Sequence, residues 1–191
     1  MGTVLGRFTH IMTRHCQITV AGAGNWDTKH PLHSYCLSEI QFWLEHLNHG
    51  NHKCCFNSVQ HSKNNFSDAS HYACGDLVKG GHEIACHKMF KPEEGGCSST
   101  HRELFTILCS LGNLFDSRIK WYTDNQVTTK IVEVGSMKLT LQTLAYKIFS
   151  YCLAHNIDLH IQWIPKELNT QADFISKLRD CNDWQGTRDV F

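Results

Sequence analysis

Trp121-Tyr122-Thr123-Asp124-Asn125-Gln126 decides how this chain is read. Locally it is a short apolar strand, carried by Ile119 and Trp121, that ends in a carboxylate where a helix begins. Alone, Asp124 has an ordinary explanation, because an Asp at a helix start accepts an orphan backbone N–H. Three other acids, Asp68, Glu103 and Asp173, stand at the same kind of place, a strand end or a helix start. Each also has a local reading: Asp68 suits a turn, Glu103 closes a capping box with Thr100, and Asp173 favours the positive end of a helix dipole. Neighbouring elements can nevertheless bring four such ends together. Clustered carboxylates repel, and a cation among them relieves the repulsion. Hard oxygen donors suit Mg²⁺. Two such ions about 4 Å apart can activate a water on one side of a phosphodiester and stabilise the leaving oxygen on the other.

Working outward, the pattern from residue 66 onward is mixed α/β. Phe66 to Ser70 is a strand end. Tyr72 to Val78 and His82 to Met89 read as two strands around a hairpin turn at Lys79-Gly80-Gly81. Pro92 to Gly96 is a loop. A helix starts near Ser99 or Thr100, with Leu104, Ile107, Leu108 and Leu111 on one face and Gly112 at its end. The strand into Asp124 follows, then a short helix over 126–134 stopped by Gly135. Leu141, Leu144, Ile148 and Cys152 form the stripe of a longer helix. Ile157, Leu159, Ile161 and Trp163 alternate with polar residues, as a half-buried strand does. Pro165 ends it, and Asn169 is placed to cap a last helix containing Ala172, Ile175, Ser176 and Leu178. Upstream, Leu37, Ile40, Trp43, Leu44 and Leu47 recur at helical spacing, with Gly50 closing the run. That segment is too short to build its own core and must pack on something else. Residues 51–65 are mostly polar and read as a connection. The expected organisation is a helical connection or tether segment over 1–53, a linker over 54–61, a compact domain over 62–179 and a fraying tail over 180–191.

Composition narrows the function. The chain has 191 residues, 41% of them hydrophobic and 19% charged, with 18 basic and 18 acidic side chains. That balance excludes a protein that holds nucleic acid by bulk charge alone. No apolar run reaches membrane-spanning length, and the amino terminus has no cleavable apolar core. A cytoplasmic or nuclear protein, not a secreted one, is expected. The ten cysteines form no paired framework and should be reduced, with Cys109 and Cys152 buried as small hydrophobes. His82, Cys86 and His87 could be proposed as zinc ligands, but they lack a second ligand pair at a known spacing.

Taken as an ordered set, Ser67-Asp68-Ala69-Ser70, Ser98 to Leu104, Tyr122-Thr123-Asp124-Asn125 and Trp163-Ile164-Pro165 with Asn169 to Asp173 resemble the ribonuclease H domain of retroelement reverse transcriptases, in the flavour of DIRS-like and gypsy-like retrotransposons. The resemblance covers roughly 62–179. More loosely, 1–53 is similar to the connection between a polymerase thumb and this domain. What the resemblance implies is a ribonuclease H-like α/β fold, a five-stranded mixed sheet flanked by helices. It implies that Asp68, Glu103, Asp124 and Asp173 ligate two Mg²⁺ ions, with Mn²⁺ as a substitute, and cut the RNA strand of an RNA–DNA hybrid to leave a 3′-hydroxyl and a 5′-phosphate. Hybrids are told from DNA by 2′-hydroxyls in a wide minor groove. Ser70, Ser99, Arg102, Asn125 and Gln126 lie beside the acids and are candidate substrate contacts. A reverse-transcriptase polymerase domain is a candidate partner.

The chain departs from the family in three respects. Of the Gly-x-Gly that many relatives carry after the first acid, Ala73-Cys74-Gly75 keeps only the second glycine. The loop Pro165-Lys166-Glu167-Leu168-Asn169 lacks the histidine found in many relatives, and no Tyr-x-Asp-Asp of a polymerase occurs. The alternative reading is a catalytically silent ribonuclease H-like module that binds nucleic acid or a polymerase. An integrase-like core fits less well, because its acids come in a different order.

Overall fold

The computed structural model describes residues 8–25, 27, 29–47, 63–80, 83–112, 114 and 118–178. Five strands form one sheet: β1 (Lys63–Ala69), β2 (Ala73–Lys79), β3 (Ile84–Met89), β4 (Arg118–Thr123) and β5 (Asp158–Trp163), in the order β3-β2-β1-β4-β5. Strands β1, β2 and β3 pair antiparallel because short turns join them, whereas β4 and β5 run parallel to β1 after helical crossovers. This is the ribonuclease H-like architecture expected from the motifs. Strand β1 begins three residues earlier than the sequence suggested. Its first half, Lys63-Asn64-Asn65, is polar, yet it is paired with β2 on one side and β4 on the other. Pairing on both edges overrides weak strand propensity.

One face of the sheet carries α5 (Ser99–Leu111) and α7 (Leu139–Ala154), with α6 (Gln126–Val134) beside them. The core between them is Leu104, Ile107, Leu111, Ile119, Trp121, Ile131, Leu144 and Ile148 with their neighbours. Trp121 is fully buried, and its indole N–H donates to Ser67 Oγ at 2.8 Å. A buried indole needs such an acceptor. The segment expected to be a loop at 92–96 holds a one-turn helix, α4 (Pro92–Gly95). Pro92 opens it, and Glu94 accepts from the Lys91 N–H at 2.8 Å. Proline suits a first helical position, where no N–H is needed.

The other face of the sheet receives α8 (Thr170–Ser176), reached through a 3₁₀ turn at Lys166–Leu168. Helix α8 lies backbone to backbone on β2. A Cβ on Gly75 would stand 2.7 Å from the Ala172 carbonyl oxygen and 2.8 Å from the Ile175 carbonyl carbon. The absence of a side chain at Gly75 is therefore a packing requirement. Asn169 precedes α8 but makes no side-chain cap. Its Nδ2 donates instead to the Ser67 carbonyl at 2.9 Å, tying the approach of α8 to β1.

Upstream lie α1 (Phe8–Ile11), α2 (Arg14–Gly22) and α3 (Ser34–His46). They pack on α6 and α7. Ile11, Met12 and Phe149 form a second buried cluster, against which Phe42, Trp43 and Tyr146 pack. Polar bonds join the same surfaces. Gln142 Nε2 donates to the Ile11 carbonyl at 2.9 Å, Trp43 Nε1 to the Met12 carbonyl at 2.7 Å, and Arg14 Nη2 to the Val134 carbonyl at 2.5 Å. Buried Glu39 on α3 accepts from the backbone N–H groups of His15 and Cys16 at 2.9 and 3.0 Å. It serves as the N-terminal cap that Thr13 does not supply. This demand sets the rotation of α3. Cys36 and Glu39 point inward, while Leu37, Ile40, Leu44 and Leu47, expected to form the inner stripe, are exposed. Of that stripe only Trp43 packs against the body. Gly50, the linker at 54–61 and the tail at 180–191 lie outside the described residues.

Candidate active site

The parallel pairing of β1 and β4 places their carboxyl ends side by side, and α5 packs against β1 with Glu103 reaching both strand ends. Asp68 is the penultimate residue of β1, and Asp124 follows the last residue of β4. Glu103 lies on the second turn of α5 and is buried. From these three elements, Asp68, Glu103 and Asp124 each bring a carboxylate oxygen within 4.8 Å of the other two. It is the only such cluster of potential metal ligands among the described residues.

None of the three plays the local part available to it. The cap of α5 is Ser98, whose Oγ accepts from the His101 N–H at 3.3 Å. Glu103 faces the strands, accepting from the Ala69 N–H at 3.2 Å and from Thr123 Oγ1 at 3.4 Å. The cap of α6 is Asn125, whose Oδ1 accepts from the Thr128 N–H at 3.0 Å, so the Asp124 carboxylate is free of that duty. Asp68 sits within a strand rather than a turn and accepts from Ser176 Oγ on α8 at 2.5 Å.

The electrostatics follow from this crowding. Burial first, then the negative charges of Asp68 and Asp124, push Glu103 up to about 8 from an ordinary 4.5. Asp124 is raised by burial and then by Asp68. Asp173 behaves differently. It lies in the first turn of α8, outside the three-carboxylate cluster, with Lys177 Nζ at 2.6 Å and Lys166 Nζ at 3.6 Å. The hydrogen bond from Lys177 holds its carboxyl below the usual range. Its charge still reaches Asp124, whose carboxyl it helps to raise.

The acids floor an open cleft of about 520 Å³ lined by Asp68, Ser99, Glu103, Asp124, Asn125, Gln126 and Trp163. Three of the candidate contacts, Ser99, Asn125 and Gln126, are thus at the cleft. The other two are occupied elsewhere and do not line it. Ser70 Oγ donates to the Ala73 carbonyl and accepts from the Tyr72 and Ala73 N–H groups, closing the turn between β1 and β2. Arg102 Nη1 donates to the carbonyls of Gly95 and Cys97, bracing the segment before α5.

Trp163 also lines the cleft, which its place in the sequence does not predict. Its alternation with Ile161 and Leu159 predicts an inward side chain, yet it is 39% exposed at the end of β5. Its Nε1 donates to the Asp124 carbonyl at 2.9 Å, fixing the backbone that carries the acid. The signal in the sequence is its position at the end of the alternating run, two residues before Pro165. The zinc alternative is not supported. Cys86 and His87 are neighbours on β3, and successive strand residues point to opposite faces; His82 lies outside the described residues. The described cysteines are all free, and Cys109 is half-buried with Lys88 Nζ at 3.5 Å rather than fully buried. Among the described residues, no helix is long and apolar enough to cross a membrane.

No family model and no curated relative matches the chain. Among solved structures it is similar to ribonuclease H1 from the halophilic archaeon Halobacterium salinarum NRC-1, at 15% identity over 59% of this chain and 92% of that one, with a TM-score of 0.44. It is also similar to the LC11 ribonuclease H1 isolated from compost by a metagenomic approach, at 15% identity over 59% and 89%, with a TM-score of 0.46. The same LC11 enzyme in complex with an RNA/DNA hybrid matches at 14% identity over 59% and 91%, with a TM-score of 0.41.

Proposed function

We propose that this chain is a retroelement-derived endonuclease, the ribonuclease H domain of a reverse transcriptase, that hydrolyses the RNA strand of RNA–DNA hybrids. The observation that carries the proposal is the convergence of Asp68, Glu103 and Asp124 from three separate elements onto one open cleft. The donor set fits Mg²⁺. It is all carboxylate oxygen, it is crowded enough to keep a proton on Glu103, and hard cations with their own water shells suit such ligands. Asp68, Glu103 and Asp124 would hold the metal, with Asp173 completing the set if it exchanges its lysine partners. Bound there, two ions supply an activated water and neutralise charge at the leaving oxygen.

The protein's own part is positioning. Asn125 caps α6 and Trp163 grips the Asp124 carbonyl, so the acid between them has a fixed backbone. Ser99 and Gln126 on the cleft wall offer a hydroxyl and an amide to ribose 2′-hydroxyls, the groups that mark RNA. In the hydrolysis, a water oxygen bonds to phosphorus and the P–O3′ bond breaks, leaving a 3′-hydroxyl and a 5′-phosphate. A silent nucleic-acid-binding module is the second reading. It is favoured by the pairing of Asp173 with Lys177 and Lys166 in place of a fourth carboxylate in the cluster.

One experiment separates them. Purified protein with Mg²⁺ should nick the RNA strand of a labelled hybrid and leave duplex DNA intact, and Asp68→Asn or Asp124→Asn should abolish the nicking without loss of hybrid binding. Binding with no cleavage by the unmodified chain would establish the silent module instead.

A further inference from the structure

We propose that Ser176 is a positioning residue for Asp68, its hydroxyl holding one carboxylate oxygen so that the other is turned to the metal. The inference rests on the nuclease reading above and gives α8, on the far face of the sheet, a part in that site. Ser176 is fully buried at the end of α8. Its Oγ lies 2.5 Å from Asp68 Oδ2 and 2.9 Å from the Asp173 carbonyl oxygen. A hydroxyl has one proton and donates to one of them at a time. Many helical serines do no more than donate to a carbonyl one turn back. Here distance and charge favour the carboxylate. A separation of 2.5 Å suits a hydroxyl bound to an ionised oxygen, and such bonds are roughly twice as strong as neutral ones.

The surroundings of α8 are arranged to bring this hydroxyl to β1. Ahead of the helix, Asn169 Nδ2 donates to the carbonyl of Ser67, the residue before Asp68. Behind it, the Tyr72 hydroxyl donates to the Lys177 carbonyl at 2.7 Å. Between these ties stands Gly75, which pairs with Asp68 across β1 and β2 and admits the helix backbone at Ala172 and Ile175. That close approach lets a side chain as short as serine reach the first strand. The consequence falls on the ligand set. Glu103 and Asp124 enter the cluster from α5 and from the end of β4, and both repel Asp68 when ionised. Glu103 is held in place by the Ala69 N–H and Thr123 Oγ1. Ser176 does the same for Asp68. Losing an outer hydrogen-bond partner of this kind typically weakens metal binding about 10–100-fold.

Titration of the full chain with Mn²⁺, reading the free ion by electron paramagnetic resonance, tests this without any cleavage. Ser176→Ala removes the hydroxyl and keeps a good helix former. It should bind Mn²⁺ at least about tenfold more weakly than the unmodified chain, with an unchanged circular dichroism spectrum. Ser176→Cys keeps a small side chain with a weak donor and should fall between the two. Ser38→Ala removes a serine that donates to the Ser34 carbonyl on α3 and should bind as the unmodified chain does. Binding of a labelled hybrid in a chelator does not pass through the ion and should be the same for Ser176→Ala and its parent. Parent-like Mn²⁺ affinity in Ser176→Ala, or in Ser176→Cys should the alanine variant not fold, overturns this inference and leaves the nuclease reading standing. So does a loss of hybrid binding as large as the loss of Mn²⁺ binding, which would mean that α8 has shifted as a whole. An unmodified chain that takes up no Mn²⁺ overturns both.

Discussion

Replacing Glu103 by Gln should make the metal-free protein more stable at alkaline pH and remove its response to Mg²⁺. Three carboxylate oxygens within 4.8 Å of one another repel by about 3.5 kcal/mol per ionised pair at an effective dielectric constant near 20. Full ionisation of the trio is therefore costly, and Glu103, the most buried, keeps its proton up to about pH 8 instead of 4.5. Between those values the folded protein holds a proton that the unfolded chain has released. Raising the pH across that window thus favours the unfolded chain, and stability falls. The full difference corresponds to about 5 kcal/mol, and relaxation of the site brings the expected loss to about 2–5 kcal/mol. For a chain of this length that is a fall in Tm of roughly 5–15 °C. Thermal unfolding in a chelator at pH 6 and pH 9 should show the part of this fall that lies above pH 6, at most about 3 kcal/mol, for the unmodified chain and its recovery on adding Mg²⁺. Glu103→Gln keeps the acceptor for the Ala69 N–H, lacks the charge, and should give nearly the same Tm at both pH values with or without metal. An unmodified chain whose Tm is flat from pH 6 to 9 and indifferent to Mg²⁺ would refute the crowding argument.

Two further outcomes concern the frame around the site. Gly75→Ala forces a methyl group into the backbone of α8. It should cost about 3 kcal/mol by overpacking and lower the Tm by roughly 5–10 °C; a change under about 1 °C would mean that α8 is not seated on β2. Asp76 is buried on β2, and desolvation pushes its carboxyl from 3.8 to about 6. Through that window the folded state retains the proton longer than the unfolded chain, so rising pH costs up to about 3 kcal/mol. Asp76→Asn should be more stable than the parent at pH 7 by about 1–3 kcal/mol in urea unfolding and level with it at pH 3.5. Equal midpoints at both pH values would contradict the burial argument.

Much of this molecule is legible in its sequence, and the failures have physical causes. Helices α5, α6 and α7 and strand β5 announce themselves by period, and Gly135, at φ 74°, stops α6 as read. The places where a residue had two possible duties were harder. Thr100 and Glu103 fit a local box, but Glu103 is drawn to Ala69 and Thr123 across the fold. Asn169 fits a cap, but the Ser67 carbonyl of a buried strand needs a donor more. Periodicity in α3 reported an apolar stripe without saying which side faces in, because a single Glu serving another helix overrode four apolar residues. The acids of the cleft were found as an ordered set. The cluster draws on three of them, since the fourth has nearer partners in two lysines that no spacing rule singles out.

Gln142 is fully buried on α7 and works in two directions, accepting from the Ser136 N–H at 3.0 Å and donating to Ile11 at 2.9 Å. A chain trimmed to begin at residue 62 would leave that amide donor facing water and strip the cover from Phe149. The leading helices share a buried seam with the body, and a version cut behind them is expected to unfold at a lower temperature than one cut ahead of them.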